Sequence, residues 1–146
     1  MDNYFEIYSY DRVSDIKLGM SLESLHEFTG GAKRSFVNDY GTLIELYTYF
    51  KAHFKNNVLT EIEFFKNSNI FYKGINLFYD HDALSKILDL VNAPLESDET
   101  LLFLDLGFAL WGFHKETEGK TVCVFSRGAY DKVLKYFHPF IDVHKK

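Results

Sequence analysis

The two halves of this chain look alike, and a repeated pattern constrains a fold more than any single motif does. Asp39-Tyr40-Gly41-Thr42-Leu43-Ile44 reappears 66 positions later as Asp105-Leu106-Gly107-Phe108-Ala109-Leu110. The same shift lays Val58 on Val124 and Leu59 on Phe125. A helical pattern precedes each match and strand-like segments follow it. The chain therefore reads as two α-β-β-β units in tandem, about 15–66 and 74–137.

Local signals fill in these units. Residues 4–8 and 34–38 have strand character. Ser21 is a good N-cap for a helix with Leu22, Leu25 and Phe28 on one face, and Gly30-Gly31 stops it. Residues 42–54 are rich in β-branched and aromatic side chains and read as one strand. Asn56-Asn57 turns the chain into an alternating strand, 58–65, so 42–65 is expected to form an antiparallel hairpin. Lys73-Gly74 marks a further turn. Asp80 or Asp82 caps a second helix carrying Leu84, Ile87, Leu88 and Val91, and Asn92-Ala93-Pro94 ends it. Glu96-Ser97-Asp98-Glu99 reads as a solvated acidic loop. Strands follow at 101–105, 108–114 and 121–126, then a helix at 129–137 closed by Pro139. The expected fold is α+β: one domain, 1–146, whose two units share one antiparallel sheet with helices packed on one face.

Composition narrows the functional classes. The 15 Phe and 10 Tyr exceed what one small core needs, which predicts aromatic side chains on a binding face. A net charge of −5 with no cluster of Lys or Arg argues against nucleic-acid and anionic-membrane binding and favours a basic protein partner. No run of 18 apolar residues exists to span a membrane. Met1-Asp2-Asn3-Tyr4-Phe5-Glu6 lacks the basic start and apolar run of a signal peptide. With a single cysteine, Cys123, a reduced cytosolic protein is the expectation.

The six histidines include no i, i+4 helical pair, and there is no Cys-x-x-Cys, so no metal site is expected. His81 between Asp80 and Asp82 has the composition of an oriented general base, but also of an acidic helix start. Glu61 and Glu63, two apart on a strand, share a face. Paired carboxylates serve acid–base chemistry or face a basic partner. Ser126-Arg127-Gly128 has one glycine and one arginine, a faint phosphate-turn signal. No P-loop, dinucleotide fingerprint or nucleophile elbow occurs, and no cofactor is expected.

Ile16-Lys17-Leu18-Gly19-Met20-Ser21-Leu22-Glu23-Ser24-Leu25 resembles the opening of BLIP-like and SmpA/OmlA-like domains, where a Gly-Met-Ser/Thr turn leads into a short helix. The tandem arrangement is similar to that of the β-lactamase-inhibitor protein family, whose two units form one concave sheet. Gly74-Ile75-Asn76-Leu77-Phe78 and Leu106-Gly107-Phe108-Ala109-Leu110-Trp111 also look like segments of small bacterial proteins, some of them immunity proteins encoded beside toxins. The resemblance implies protein binding through the sheet face not covered by helices. Strand alternation names that face: with Ile44, Leu46 and Phe50 toward the helices, Glu45, Tyr47 and Tyr49 point away. The 66-residue shift adds Trp111 and Phe113. Leu59, Glu61, Glu63, Phe65, Cys123 and Phe125 join them.

The expected function is a non-catalytic protein-binding module, most specifically a cytosolic bacterial immunity protein that occludes a toxin's active site. Tyr47, Tyr49, Trp111 and Phe113 would be its anchors. Glu61, Glu63, Glu96, Asp98 and Glu99 would supply charge complementary to a basic toxin domain. Two alternatives stay open: a homodimer joined through the aromatic face, and a small-ligand binder or enzyme using His81 or the Glu61/Glu63 pair.

Overall fold

The computed structural model describes residues 2–91 and 94–141. In chain order its elements are β1 (Tyr4–Tyr8), β2 (Arg12–Val13), β3 (Ile16–Lys17), α1 (Leu22–Thr29), β4 (Arg34–Val37), β5 (Leu43–Leu46), β6 (Phe50–Lys55), β7 (Val58–Phe65), β8 (Asn69–Tyr72), β9 (Ile75–Asn76), α2 (Ala83–Leu88), β10 (Leu95–Ser97), β11 (Thr100–Phe103), β12 (Phe108–Trp111), β13 (Thr121–Phe125), a 3₁₀ segment (Asp131–Tyr136) and β14 (His138–Pro139). Strand far outweighs helix. The expected Asn92-Ala93 helix end lies outside the described residues, although α2 itself stops at Leu88.

Nine strands form an antiparallel sheet in the order β14-β10-β11-β12-β13-β7-β6-β5-β4. α1 precedes β4–β7 and α2 precedes β10–β13. The two runs meet at the centre, where Thr121 to Phe125 pair with Phe65 to Glu61. A second sheet, β3-β2-β1-β8-β9, contains a parallel pairing of β1 with β8.

Several element boundaries follow from local chemistry. The Ser21 side chain accepts from the Ser24 N–H, and Gly30 ends α1 at φ 72°. Asn56 and Asn57 both take positive φ, the geometry a tight two-residue hairpin demands, and Lys73-Gly74 does the same between β8 and β9. Gly41 and Gly107 each sit at φ 77°. The repeated Asp-x-Gly sequence thus places a left-handed glycine in each turn, but the bonding differs: the Gly41 N–H donates to the Asn38 carbonyl and the Gly107 N–H to the Phe103 carbonyl. The two turns are not equivalent in the topology, however: the first joins β4 to β5 and the second joins β11 to β12.

The expected strand 42–54 is two strands. Tyr47 N–H donates to the Phe50 carbonyl at 2.9 Å, and β5 folds back on β6 with Leu43 opposite Phe54. The acidic segment is also not a loop. Leu95–Ser97 is a strand paired with β11, and Asp98-Glu99 is its turn. Each run therefore has four strands where three were expected.

The core lies between the two sheets. Phe5 of β1 meets Phe64 of β7 at 4.8 Å between ring centroids and Phe50 of β6 at 6.0 Å. Tyr72 of β8 meets Phe108 of β12 at 5.2 Å. Leu25 from α1 and Ile87 and Leu88 from α2 complete it. This core buries nine Phe and Tyr side chains, because joining two sheets takes bulky side chains from both inner faces, while Tyr4, Tyr8, Phe28, Phe36, Tyr40, Tyr79 and Tyr136 stay exposed.

A bulge between His53 and Phe54 changes the parity of β7. Phe54 pairs with Leu59 and His53 with Glu61, so Thr60 is the extra residue. Leu59 therefore faces the core with Ile62 and Phe64, all three fully buried, and does not join the opposite face as alternation predicted.

Gly107 is the glycine with the least room. At φ 77° a Cβ there would lie 3.1 Å from the Tyr10 backbone nitrogen and 3.2 Å from its ring. Gly107→Ala is expected to cost about 1–3 kcal/mol in urea unfolding. Gly41→Ala meets nothing within 4 Å and should cost only the backbone strain.

Candidate functional site

The nine-stranded sheet has a far face, opposite the core. Strand register assigns it Ile44 and Leu46 from β5, Lys51 and His53 from β6, Glu61 and Glu63 from β7, Thr121, Cys123 and Phe125 from β13, Ala109 and Trp111 from β12, and Thr100 and Leu102 from β11. One end is covered. Leu102, Ala109, Cys123 and Phe125 form a second apolar cluster under Tyr10, Tyr130, Leu134 and Phe137. Tyr130 stacks on Phe125 at 4.4 Å, and the Arg127 guanidinium lies 4.2 Å from the Tyr10 ring centroid. Beyond this cover a groove of about 340 Å³ remains open, bounded by Tyr130, Trp111 and Gly119 and floored by Glu61, Glu63, Thr121 and Cys123.

Only part of the expected face is present. Trp111, Glu61 and Glu63 line the groove, and Trp111 is 37% exposed. Tyr47, Tyr49 and Phe113 do not. The turn at Tyr47 reverses the chain, so Tyr47 packs on Phe50 at 4.9 Å on the core side, and Tyr49 packs toward Phe5. Gly112 at φ 80° ends the alternation of β12, and Phe113 turns inward against Phe78. Glu45 likewise faces α1, where its carboxylate meets His26 Nε2 at 2.8 Å.

The acidic segment is largely spent on internal bonds. Glu96 pairs with core-facing Leu101 and so stands on the opposite face from the groove. Its carboxylate lies 2.6 Å from His114 Nε2 and 4.0 Å from His138 Nε2. Glu99 accepts from the Thr117 hydroxyl. Asp98 alone is exposed, at φ 49° in the turn. Sequence reasoning missed the His26–Glu45 and His114–Glu96 pairs because the partners are 19 and 18 residues apart and on different elements. His81 is exposed just before α2.

Groove electrostatics are set by burial. Lys51 Nζ lies 3.5 Å from Glu63, while His53 Nδ1 lies 3.9 Å from Glu61. Desolvation raises the Glu61 carboxyl, opposed by a hydrogen bond with Cys123 and reinforced by the neighbouring Glu63. Burial and the neighbouring Glu61 push the Cys123 thiol well up, so this cysteine is disfavoured as a thiolate nucleophile. Tyr130 donates to its sulfur at 3.7 Å. Burial, reinforced by Lys51 and Lys55, pushes His53 down to about 4. Among the described residues no group of three or more His, Cys, Asp or Glu is placed to hold a metal.

His53 sets an acid sensitivity. The unfolded chain takes up its proton near pH 6.5, whereas the folded chain resists until about 4. Stability is therefore lost as pH falls through that window. Glu61 acts in the opposite direction, because its raised carboxyl takes a proton earlier in the folded state. Relative to wild type, His53→Gln should remove about 2 kcal/mol of the stability lost between pH 7 and pH 4.5. Urea midpoints at the two pH values measure it, and an unchanged slope would contradict a neutral, buried His53.

No family model, curated protein or solved structure matches this chain. Among the described residues, no helix is long and apolar enough to cross a membrane.

Proposed function

We propose that this chain is a non-catalytic protein-binding module whose working surface is the open part of the far sheet face. The observation that carries the reading is the groove itself: a part-exposed tryptophan lining the same groove as two carboxylates, on a face of which one end is covered by the chain's own Tyr10 and 3₁₀ segment. Trp in a partly desolvated setting is the side chain most enriched among binding hot spots. The acidic balance fits a basic partner, since complementary fields speed association and reject wrong partners.

The most specific form of the reading is a cytosolic immunity protein that covers the active site of a bacterial toxin. The succession of a helix and four antiparallel strands, met twice and joined through β7 and β13, supports a tandem BLIP-like arrangement. Co-expression with the product of the neighbouring gene tests it. A stable complex with a partner that is toxic alone is expected. Growth arrest unrelieved by this chain, with no complex, would remove the immunity reading.

A second reading, homodimerisation, is favoured by a different surface from the one expected. β4 is an outer strand of the nine-stranded sheet and all four of its residues are exposed, including Phe36 and Val37. Unpaired strand edges of this kind are templates for pairing with another chain. Light scattering distinguishes the readings. A tight dimer abolished by Val37→Lys would favour sheet extension through β4.

A further inference from the structure

The groove holds a carboxylate without a charged partner. Glu61 and Glu63 stand two apart on β7 and share the far face. Glu63 has Lys51 Nζ at 3.5 Å. For Glu61, the only ion-pairing group among the described residues is His53 Nδ1 at 3.9 Å. His53 is itself largely buried and flanked by Lys51 and Lys55, which keep it neutral at ordinary pH. Only 23% of the Glu61 side chain is accessible. Burying a carboxylate this far is costly unless a cation or good donors compensate it.

The surroundings suit a cation that is flat and partly apolar. Trp111 and Tyr130 line the same groove, and aromatic faces attract cations, with indole the strongest. A guanidinium stacks on an aromatic plane while its fork of N–H groups meets carboxylates, which an ammonium cannot do equally well. At about 340 Å³ the groove is at the small end of ligand sites. Trp111 is 37% exposed where it lines the groove, so a partner surface could reach it.

We infer that this groove is a subsite for one arginine side chain of the basic partner, with Glu61 as its principal ion-pairing group, Glu63 as a second acceptor and Trp111 as its stacking surface. The inference rests on the protein-binding reading above.

The chain has a single tryptophan, so Trp111 emission reports directly on the groove. The probe is N-acetyl-arginine methylamide, compared with its neutral citrulline counterpart, the lysine counterpart and spermidine. A saturable change with the arginine probe is expected, at least about tenfold weaker with citrulline and in Glu61→Gln. Added salt should weaken it. Glu61→Gln relieves a buried charge and is expected to fold at least as stably, which a thermal melt verifies. Equal response to citrulline, an unchanged Glu61→Gln, or no saturable response would overturn the proposal. Tighter binding of spermidine that also depends on Glu61 would overturn the assignment to a partner's side chain. The probe titration uses no partner protein, so its failure is separable from failure of the protein-binding reading. A complex that forms normally with Glu61→Gln would sink the subsite and leave that reading standing.

Discussion

Phe64→Ala is expected to destabilise the fold by about 3–5 kcal/mol, the cost of a large cavity in a packed core. Phe64 is fully buried at the centre of the nine-stranded sheet. Its ring lies 4.8 Å from Phe5 and 5.5 Å from Phe50, so it connects the small sheet to both the third and fourth strands of the first run. A domain of this size has about 5–15 kcal/mol in total, so the loss is a large share of it. The melting temperature should fall by roughly 10 °C. Phe36→Ala is the control: its side chain is exposed on β4, and about 0.5 kcal/mol or less is expected. Urea unfolding of both variants measures the contrast. A loss below about 1 kcal/mol for Phe64 would mean that the two sheets do not share this core.

Trp111→Ala is expected to weaken partner binding by about 2–4 kcal/mol, roughly 30-fold to 1000-fold, while leaving the fold nearly as stable as wild type. The separation of the two effects is the informative part. Trp111 is part-exposed and lines the groove, so its truncation removes contact area without opening the core. Tyr47→Ala should behave in the opposite way. Tyr47 packs on Phe50 inside the main cluster, so its loss should cost stability by about 2–4 kcal/mol. Calorimetric titration alongside thermal melts distinguishes these outcomes. Binding that survives Trp111→Ala undiminished would remove the far face from the account.

The sequence carried the parts of this structure that are written in local chemistry. Ser21 and Gly30 bracket α1, Asn56-Asn57 and Lys73-Gly74 make tight turns, and Gly107 needs its left-handed backbone. Each signal acts over four residues or fewer. The turn at Tyr47-Thr48-Tyr49 was not legible, because it uses no glycine, proline or asparagine and lies inside a run of strand formers. Missing it reversed the assigned face of β5 and sent Tyr47 and Tyr49 to the wrong side. The bulge at His53 did the same to Leu59, and Gly112 did it to Phe113. The pairing of β1 with β8 joins segments some 65 residues apart, and no local pattern announces it. Glu61 and Glu63 were placed on the groove face by alternation along β7, whereas Trp111 was reached through the 66-residue shift from Glu45, a residue that itself faces α1. Tyr130 was not foreseen as a wall of the groove, since its position depends on how the 3₁₀ segment folds back over Phe125 and Cys123.

Trp111 fluorescence, followed as the co-expressed neighbouring gene product is titrated into this chain, tests the central claim most directly. The expected result is a monomer whose Trp111 is quenched by acrylamide when free and shielded, with blue-shifted emission, in the complex. A complex that leaves the Trp111 spectrum and its quenching unchanged would contradict it, as would a free protein that is already a dimer with Trp111 shielded.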